Sequence, residues 1–260
     1  LHAARHGARR LLLGLGGSAT NDGGCGAAAA LGVEFLDETG HAFVPVGGTL
    51  GRIAHIRVEN VLPQLRQAEV VAMCDIDNPL CGPTGASAVF GPQKGADAAM
   101  VRRLDDGLRQ LAALLERDVG RDVLNLPGGG AAGGFGAGAA ALLNARLRPG
   151  VEMLLDAADF PRLAADADLI ITGEGRLDSQ SLGGKAVIGV ARRARELGVP
   201  CAALAGAVDV SALPRAYELG LTAAEMSPEE KMSRSHRAKA LRELLRLWPS
   251  FWEGYLRKRA

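Results

Sequence analysis

Aromatic side chains make up only 4% of the 260 residues, so any core must be built from Ala, Val, Leu and Ile. Charge of one sign is missing too: 30 Lys and Arg against 29 Asp and Glu leave a formal net charge of +1. A chain so balanced has no overall basic field of the kind that gathers nucleic acid, and no nucleic-acid partner is expected. No apolar run approaches the roughly 20 residues of a membrane-spanning helix, so no membrane partner is expected either. Residues 11–15 are too short for the apolar centre of an export signal. The four cysteines, Cys25, Cys74, Cys81 and Cys201, form no CxxC pair and have no His at metal-ligand spacing. They read as small buried or half-buried thiols in a reducing cytoplasm. None of His2, His6, His41, His55 and His236 lies in a glycine-rich loop, which leaves Ser-His-Asp and Cys-His nucleophilic sites without support.

Glycine is what the chain has in excess: 35 residues, about twice the usual share of roughly 7%. The glycines cluster in loops within a repeating pattern of short apolar run, glycine-rich or polar loop, and alanine-rich helical stretch. Residues 11–15 (LLLGL) lead into GGSATNDGG and GCGAAAALG, and 69–74 (EVVAMC) lead into DIDNPLCGPTGAS. Residues 168–172 (DLIIT) lead into GEGRLDSQSLGGK and AVIGVARRARELG, and 200–205 (PCAALA) follow. Unbroken apolar runs of five or six suit strands buried on both faces, which indicates an α/β fold with parallel sheet covered by helices. Met100, Leu104, Leu108, Leu111 and Leu115 recur at three and four residues and predict a helix, capped by Asp97 and stopped by Gly120. Residues 127–138 (PGGGAAGGFGAG) are the densest glycine segment, and a short helix is expected over 139–147. The expected division is a glycine-rich lobe over 1–162, a Rossmann-like βαβ portion over 163–225 and a helical segment over 226–260. That last segment opens on the capping box Ser227-Pro228-Glu229-Glu230.

In a parallel sheet, ligands collect beyond the carboxyl ends of the strands, where these loops would gather. The loop at 16–24 lets backbone approach an oxyanion and is followed by a helix start. It lacks the terminal Gly-Lys-Ser/Thr of a P-loop, and residues 14–19 (GLGGSA) are not a dinucleotide fingerprint, which disfavours a nicotinamide enzyme. The loop at 74–80 (CDIDNPL) places Asp75, Asp77 and Asn78 at a strand end, where they suit either Mg²⁺ or a turn built on Asx side chains. Lys94 follows, between Pro92 and Gly95, either as a phosphate contact or as a solvated loop lysine. The loop at 172–185 concentrates Glu174, Arg176, Asp178 and Lys185 among four glycines. Such a set suits a polyanion with a metal: cations for phosphate oxygens, carboxylates for Mg²⁺ or a reacting hydroxyl. Taken alone, these residues describe a phosphate-handling α/β protein.

In order and spacing, GGSATNDGG (16–24), CDIDNPL (74–80), FGPQKGA (90–96), PGGGAAGGFGAG (127–138) and ITGEGRLDSQSLGGKAVIGVA (171–191) resemble the glycerate kinase family in its bacterial single-chain form. The likeness runs from about residue 8 to about residue 225. It implies two α/β lobes with an active site in the cleft between them. It also implies transfer of the ATP γ-phosphate to a hydroxyl of D-glycerate with Mg²⁺, the 2-phospho product slightly favoured. By the same resemblance Asp22, Asp75, Lys94, Arg176 and Lys185 carry the catalysis, and Glu174 or Asp178 holds Mg²⁺. Gly16, Gly17, Ser18, Asn21, Asn78, Gly173 and Gln180 bind substrate or nucleotide. Arg176 and Lys185 would neutralise phosphate or the glycerate carboxylate, and Asp75 or Asp22 would orient or deprotonate the accepting hydroxyl. The family's first βα region, with an Asp-Ser-(Phe/Tyr)-Lys motif, has no counterpart before Leu1, and the sequence drifts from the family beyond Ala224. The start, with Leu where an initiator Met would stand, reads as a cut, and the expected fold is incomplete at that end. The alternative reading is accordingly a remnant that binds ligand without turnover, and a homodimer is one of the oligomeric states left open. Lys185→Ala is expected to lower kcat by on the order of 10²-fold with the fold intact, since a charge contact to a transferring phosphoryl acts in the transition state. Steady-state kinetics beside a melting curve check this.

Overall fold

The computed structural model describes residues 1–178 and 186–225, together with residue 246. The capping box at 227–230 lies outside the described residues. Two compact units divide after Gly150. Residues 151–162, which the sequence alone groups with the first lobe, belong by their contacts to the second. The first unit runs α1 (His2–Arg5), β1 (Arg10–Gly14), α2 (Cys25–Ala30), β2 (Glu34–Leu36), β3 (Ala42–Phe43), β4 (His55–Arg57), α3 (Pro63–Gln67), β5 (Glu69–Met73), α4 (Ala86–Phe90), α5 (Ala98–Leu114), α6 (Ala131–Leu142) and β6 (Arg146–Arg148). Then come α7 (Gly150–Ala157), which starts at the division, α8 (Phe160–Ala164), β7 (Ile170–Glu174), α9 (Ala186–Glu196), β8 (Cys201–Ala205), α10 (Leu213–Glu218) and β9 (Leu221–Glu225).

The fold is the α/β class that the sequence indicates, with parallel strands and covering helices. In the first unit β1, β5 and β6 form a parallel sheet with β5 in the middle. Val70, Val71 and Ala72 of β5 are buried, as an apolar run without alternation requires of a central strand. β1 behaves differently. Leu11 and Leu13 pack on the core while Leu12 is 52% exposed, so its apolar run is buried on one face only. A second, antiparallel sheet in the order β3-β2-β4 was not foreshadowed by any pattern, because its strands are only two or three residues long. Its tight turn is held by Asp37, whose Oδ1 accepts from the amides of Thr39 and His41, and Phe35 of β2 reaches the main core.

α5 forms where the leucine spacing predicts it. Asp97 Oδ1 accepts from the amides of Ala99 and Met100 at 2.8 Å each, satisfying two orphan donors of the first turn. Beyond Leu114 the chain passes through a wider turn, Leu115–Val119, and stops at Gly120 in the left-handed conformation. Leu108, Leu111 and Leu115 are buried, and Gly107 lets the helix close onto Leu50 in the 3-10 turn Gly47–Arg52.

The dense glycine segment departs from expectation. The helix α6 starts inside it, eight residues before the expected 139, and ends at Leu142, so that Leu147 sits on β6. Ala132, Gly133 and Gly134 have φ of 51°, 69° and 90°, so regular helix begins only after them. The reason is packing against the loop after β1. A Cβ on Gly133 would overlap the Thr20 carbonyl, one on Gly138 would overlap the Gly23 carbonyl, and the Gly23 amide donates to the Gly133 carbonyl at 3.0 Å. The two glycine loops therefore meet backbone on backbone.

The second unit carries a parallel sheet, β7-β8-β9, with β8 central. Val187, Ile188, Ala191 and Ala194 give α9 a buried stripe over Cys201, Ala203 and Ala205. Gly189 admits Val151 of α7, whose side chain occupies the space a Cβ would take. Among the described residues no helix is long and apolar enough to cross a membrane. Because overpacking of a filled contact costs about 1–3 kcal/mol, Gly138→Ala is expected to lower Tm by roughly 3–10 °C. Gly48→Ala, where a Cβ meets nothing within 4 Å, is the control and leaves Tm nearly unchanged in the same calorimetric scan.

Candidate active site

The carboxyl edge of the β1-β5-β6 sheet gathers the loops that follow its strands, as parallel-sheet geometry requires. The loop after β1 turns at Gly17, whose φ of 60° suits a residue without Cβ. The loop after β5 brings Asp75 to the same edge. Its Oδ1 accepts from the Gly150 amide at 2.7 Å, where α7 begins. Gly16, Gly17, Ser18, Asp75, Gln93 and Lys94 border a cavity of about 220 Å³ there, closed on one side by the backbone of Ala132 and Gly133.

Lys94 organises this region. It ends the 3-10 turn Pro92–Lys94, and Gly95, at φ 93°, turns the chain away behind it. Its Nζ donates to Ser18 Oγ at 2.9 Å and to the Thr20 carbonyl at 2.6 Å. On its other side lies a second cavity of about 330 Å³, bordered by Asn21, Asp22, Val46, Lys94, Met100 and Leu104. Lys94 thus borders both cavities. Partial burial pulls the Lys94 pKa below the ordinary lysine value, and the Asp22 carboxylate partly opposes that shift. Asp22 Oδ1 accepts from the Gly24 amide at 3.0 Å. Asn21 is buried; its Nδ2 donates to Ser87 Oγ at 3.0 Å, while Oδ1 has no partner among the described residues.

In the second unit the carboxyl end of β7 carries Glu174, whose Oε1 is buried and has no hydrogen-bond partner among the described residues. Arg176 and Asp178 form an ion pair with Nε–Oδ2 of 3.4 Å. Leu177 between them is fixed by its amide on the Ala207 carbonyl and by the Asp209 amide on its own carbonyl, both at 2.8 Å. Asp209 was not foreseen. Its carboxyl is held below the usual range by the Ser211 hydroxyl and amide, and nearby Arg176 adds to this. No glycine-rich motif marks that position. Gly173 is a strand residue, and a Cβ there would press on the Leu204 carbonyl at 2.8 Å. Gln180 and Lys185 lie outside the described residues.

The candidates therefore form two sets. Gly16, Gly17, Ser18, Asn21, Asp22, Asp75 and Lys94 are together in the first unit, around two adjoining cavities. Glu174, Arg176 and Asp178 are together in the second. Asn78 borders neither cavity: its Nδ2 donates to the Thr84 carbonyl at 2.8 Å and its carbonyl accepts from the Gly130 amide at 3.0 Å, so it serves the turn. Ser87 and Gln93, not singled out in the sequence, adjoin the site. Their signal is weak, a serine inside the apolar run ASAVF and a glutamine beside Lys94. The cysteines are free, and burial pushes the Cys81 thiol up to about 12 and that of Cys201 to about 11. Among the described residues no three of His, Cys, Asp and Glu cluster as metal ligands.

Comparison with known proteins settles the ancestry. The family model described as "Glycerate kinase family" matches residues 1–248. The chain belongs to the glycerate kinase family. A glycerate kinase of Halalkalibacterium halodurans is 46% identical over 224 residues, 86% of this chain and 59% of that protein. The glycerate 2-kinase of Escherichia coli is 42% identical over 208 residues, 80% of this chain and 55% of that protein. A solved structure of a candidate glycerate kinase 2 from Salmonella typhimurium superposes with a TM-score of 0.73 at 39% identity, covering 96% of this chain and 67% of that one. The chain spans a little over half the length of these glycerate kinase sequences.

The ammonium is the anion-binding form of Lys94, and burial moves its loss to a pH below the ordinary 10.5. Tripolyphosphate affinity is therefore expected to be flat near neutral pH and to fall as pH rises, with a midpoint under that value. Lys94→Met is expected to bind more weakly and to lose that alkaline fall. Isothermal titration across pH 7 to 11 checks both.

Proposed function

We propose that the chain is part of a kinase that transfers the γ-phosphoryl group of ATP to a hydroxyl of D-glycerate, giving ADP, phosphoglycerate and a proton, with 2-phosphoglycerate as the product. The observation that carries this reading is Lys94, held by Ser18 and Thr20 at the wall of two cavities. Phosphoryl transfer needs no covalent nucleophile, only positioning and neutralisation of charge on the group in flight. A fixed ammonium between a donor space and an acceptor space supplies that charge without reorganising.

In this reading Gly16, Gly17 and Ser18 cradle donor phosphates, and the accepting hydroxyl lies on the Asp22 side of Lys94. Asp22 is assigned to take the hydroxyl proton because, of the two carboxylates, it is the one that borders the acceptor-side cavity with Lys94. Its Oδ1 is fixed by the Gly24 amide, which orients the carboxylate. Asp75, tied to the start of α7, orients rather than deprotonates. From the second lobe, Arg176 and Lys185 neutralise phosphate or the glycerate carboxylate, and Gln180 adds a polar contact. The orphaned, buried Glu174 Oε1 fits a hard cation, and Mg²⁺ asks for only one or two protein carboxylates beside substrate phosphates. Glu174 with Asp178 would hold it, where it would neutralise charge on the phosphates.

Turnover of ATP with D-glycerate, followed by ADP release with the product identified by ³¹P NMR, tests the proposal. 2-Phosphoglycerate is the expected product, and Asp22→Asn is expected to lower kcat by on the order of 10²-fold or more. ATP binding without turnover would overturn the kinase reading in favour of a ligand-binding remnant. A larger kcat loss in Asp75→Asn than in Asp22→Asn would exchange their roles.

A further inference from the structure

We propose that Ser87 is a positioning residue for Lys94, acting through Asn21. Ser87, on α4, is completely buried, and Asn21 is 8% exposed; they are the two buried polar side chains among the described residues. They bond to each other across 66 residues of sequence, with Asn21 Nδ2 to Ser87 Oγ at 3.0 Å. A hydroxyl can accept from Nδ2 or donate to Oδ1, so the link survives exchange of the amide's two ends. It is also the one side-chain hydrogen bond of Asn21 among the described residues, the other end of the amide having no partner.

The link closes a ring. The Ser87 carbonyl accepts from the Gly91 amide at 2.9 Å, and the Gly91 carbonyl accepts from the Lys94 amide at 2.9 Å, so the backbone of Lys94 is two hydrogen bonds from Ser87. The Lys94 side chain then returns to the Thr20 carbonyl, on the residue next to Asn21, and to Ser18. Gly91 permits the short path, since a Cβ there would overlap the Ser87 carbonyl. Apolar packing would bury this helix equally well without a polar atom. A hydroxyl on the buried face of α4, bonded to the loop whose carbonyl receives Lys94, adds a fixed register between that loop and the lysine turn. The inference rests on the reading that Lys94 serves the site, but its test does not require turnover.

Lysine labelled with ¹³C at Cε reports the Lys94 titration directly, its resonance assigned by its loss in Lys94→Arg. Partial burial holds the Lys94 titration below the ordinary value, and the Asp22 carboxylate acts on the ammonium in the opposite direction. In Ser87→Ala the ammonium is expected to gain water, so its titration moves up towards 10.5, and kcat falls on the order of ten-fold. In a Lys94→Met background the same substitution is expected to cost no further activity. Ser87→Cys replaces the hydroxyl with a somewhat larger thiol that keeps the hydrogen bond only weakly; it gives an intermediate shift and carries the test should Ser87→Ala not fold. A lowered Tm with the Lys94 titration unmoved in both variants would overturn the proposal, leaving Ser87 a packing residue. A shifted titration in a chain without turnover would instead keep the positioning role and remove the kinase reading.

Discussion

The first unit depends on one contact: the loop after β1 lies directly on the glycines that open α6. Thr20 and Gly23 present carbonyls to Gly133 and Gly138 at a separation that excludes any Cβ, and the Gly23 amide closes the contact by donating to Gly133. Side chains cannot mediate so close an approach. Because the loop is held by backbone, its side chains at Ser18, Asn21 and Asp22 are left for other partners. Lys94, Ser87 and both cavities take their places from that arrangement. The excess of glycine is therefore first a packing device, and the space it leaves for ligand follows from it.

Much of this was legible in the sequence, for identifiable reasons. β5, β7 and β8 announce themselves as unbroken apolar runs, and α5 by its leucine stripe with a capping Asp97 and a terminal Gly120. That the loops of Gly16, Ser18 and Asp75 share an edge followed from parallel-sheet geometry, whereas Lys94, in the turn beyond α4, was grouped with them by the family resemblance alone. What stayed hidden depends on tertiary partners. β2, β3, β4 and β6 are too short to carry a period. The start of α6 was misplaced because residues 132–134 take left-handed conformations set by their neighbour loop and not by their own preferences. The exposed Leu12 and the 47% exposed Ile171 show that an apolar run reports strand formation more faithfully than the number of faces covered. Asn78 illustrates the limit from the other side: a motif residue with a chemically suitable side chain whose hydrogen bonds hold a turn.

The charged residues are shared between two bodies with different local logic. In the first, a single lysine is fixed by neutral oxygens of Ser18 and Thr20, with the Asp22 carboxylate acting on it electrostatically. In the second, Arg176 and Asp178 are already paired, while the buried Glu174 oxygen is not. Family membership accounts for why such sets occur on one chain, and the geometry accounts for what each is able to hold.

The four thiols have a practical consequence. Cys25, Cys74 and Cys201 are buried and Cys81 is half-buried, with burial raising every one of their pKa values. Thiolate, the form that reacts with maleimides, is then scarce at neutral pH. A cysteine introduced on the surface would outcompete all four native ones for such a reagent. The chain is thus ready to carry a pair of spectroscopic labels, one in each unit, without removal of its own cysteines, and the distance between the two bodies becomes directly measurable.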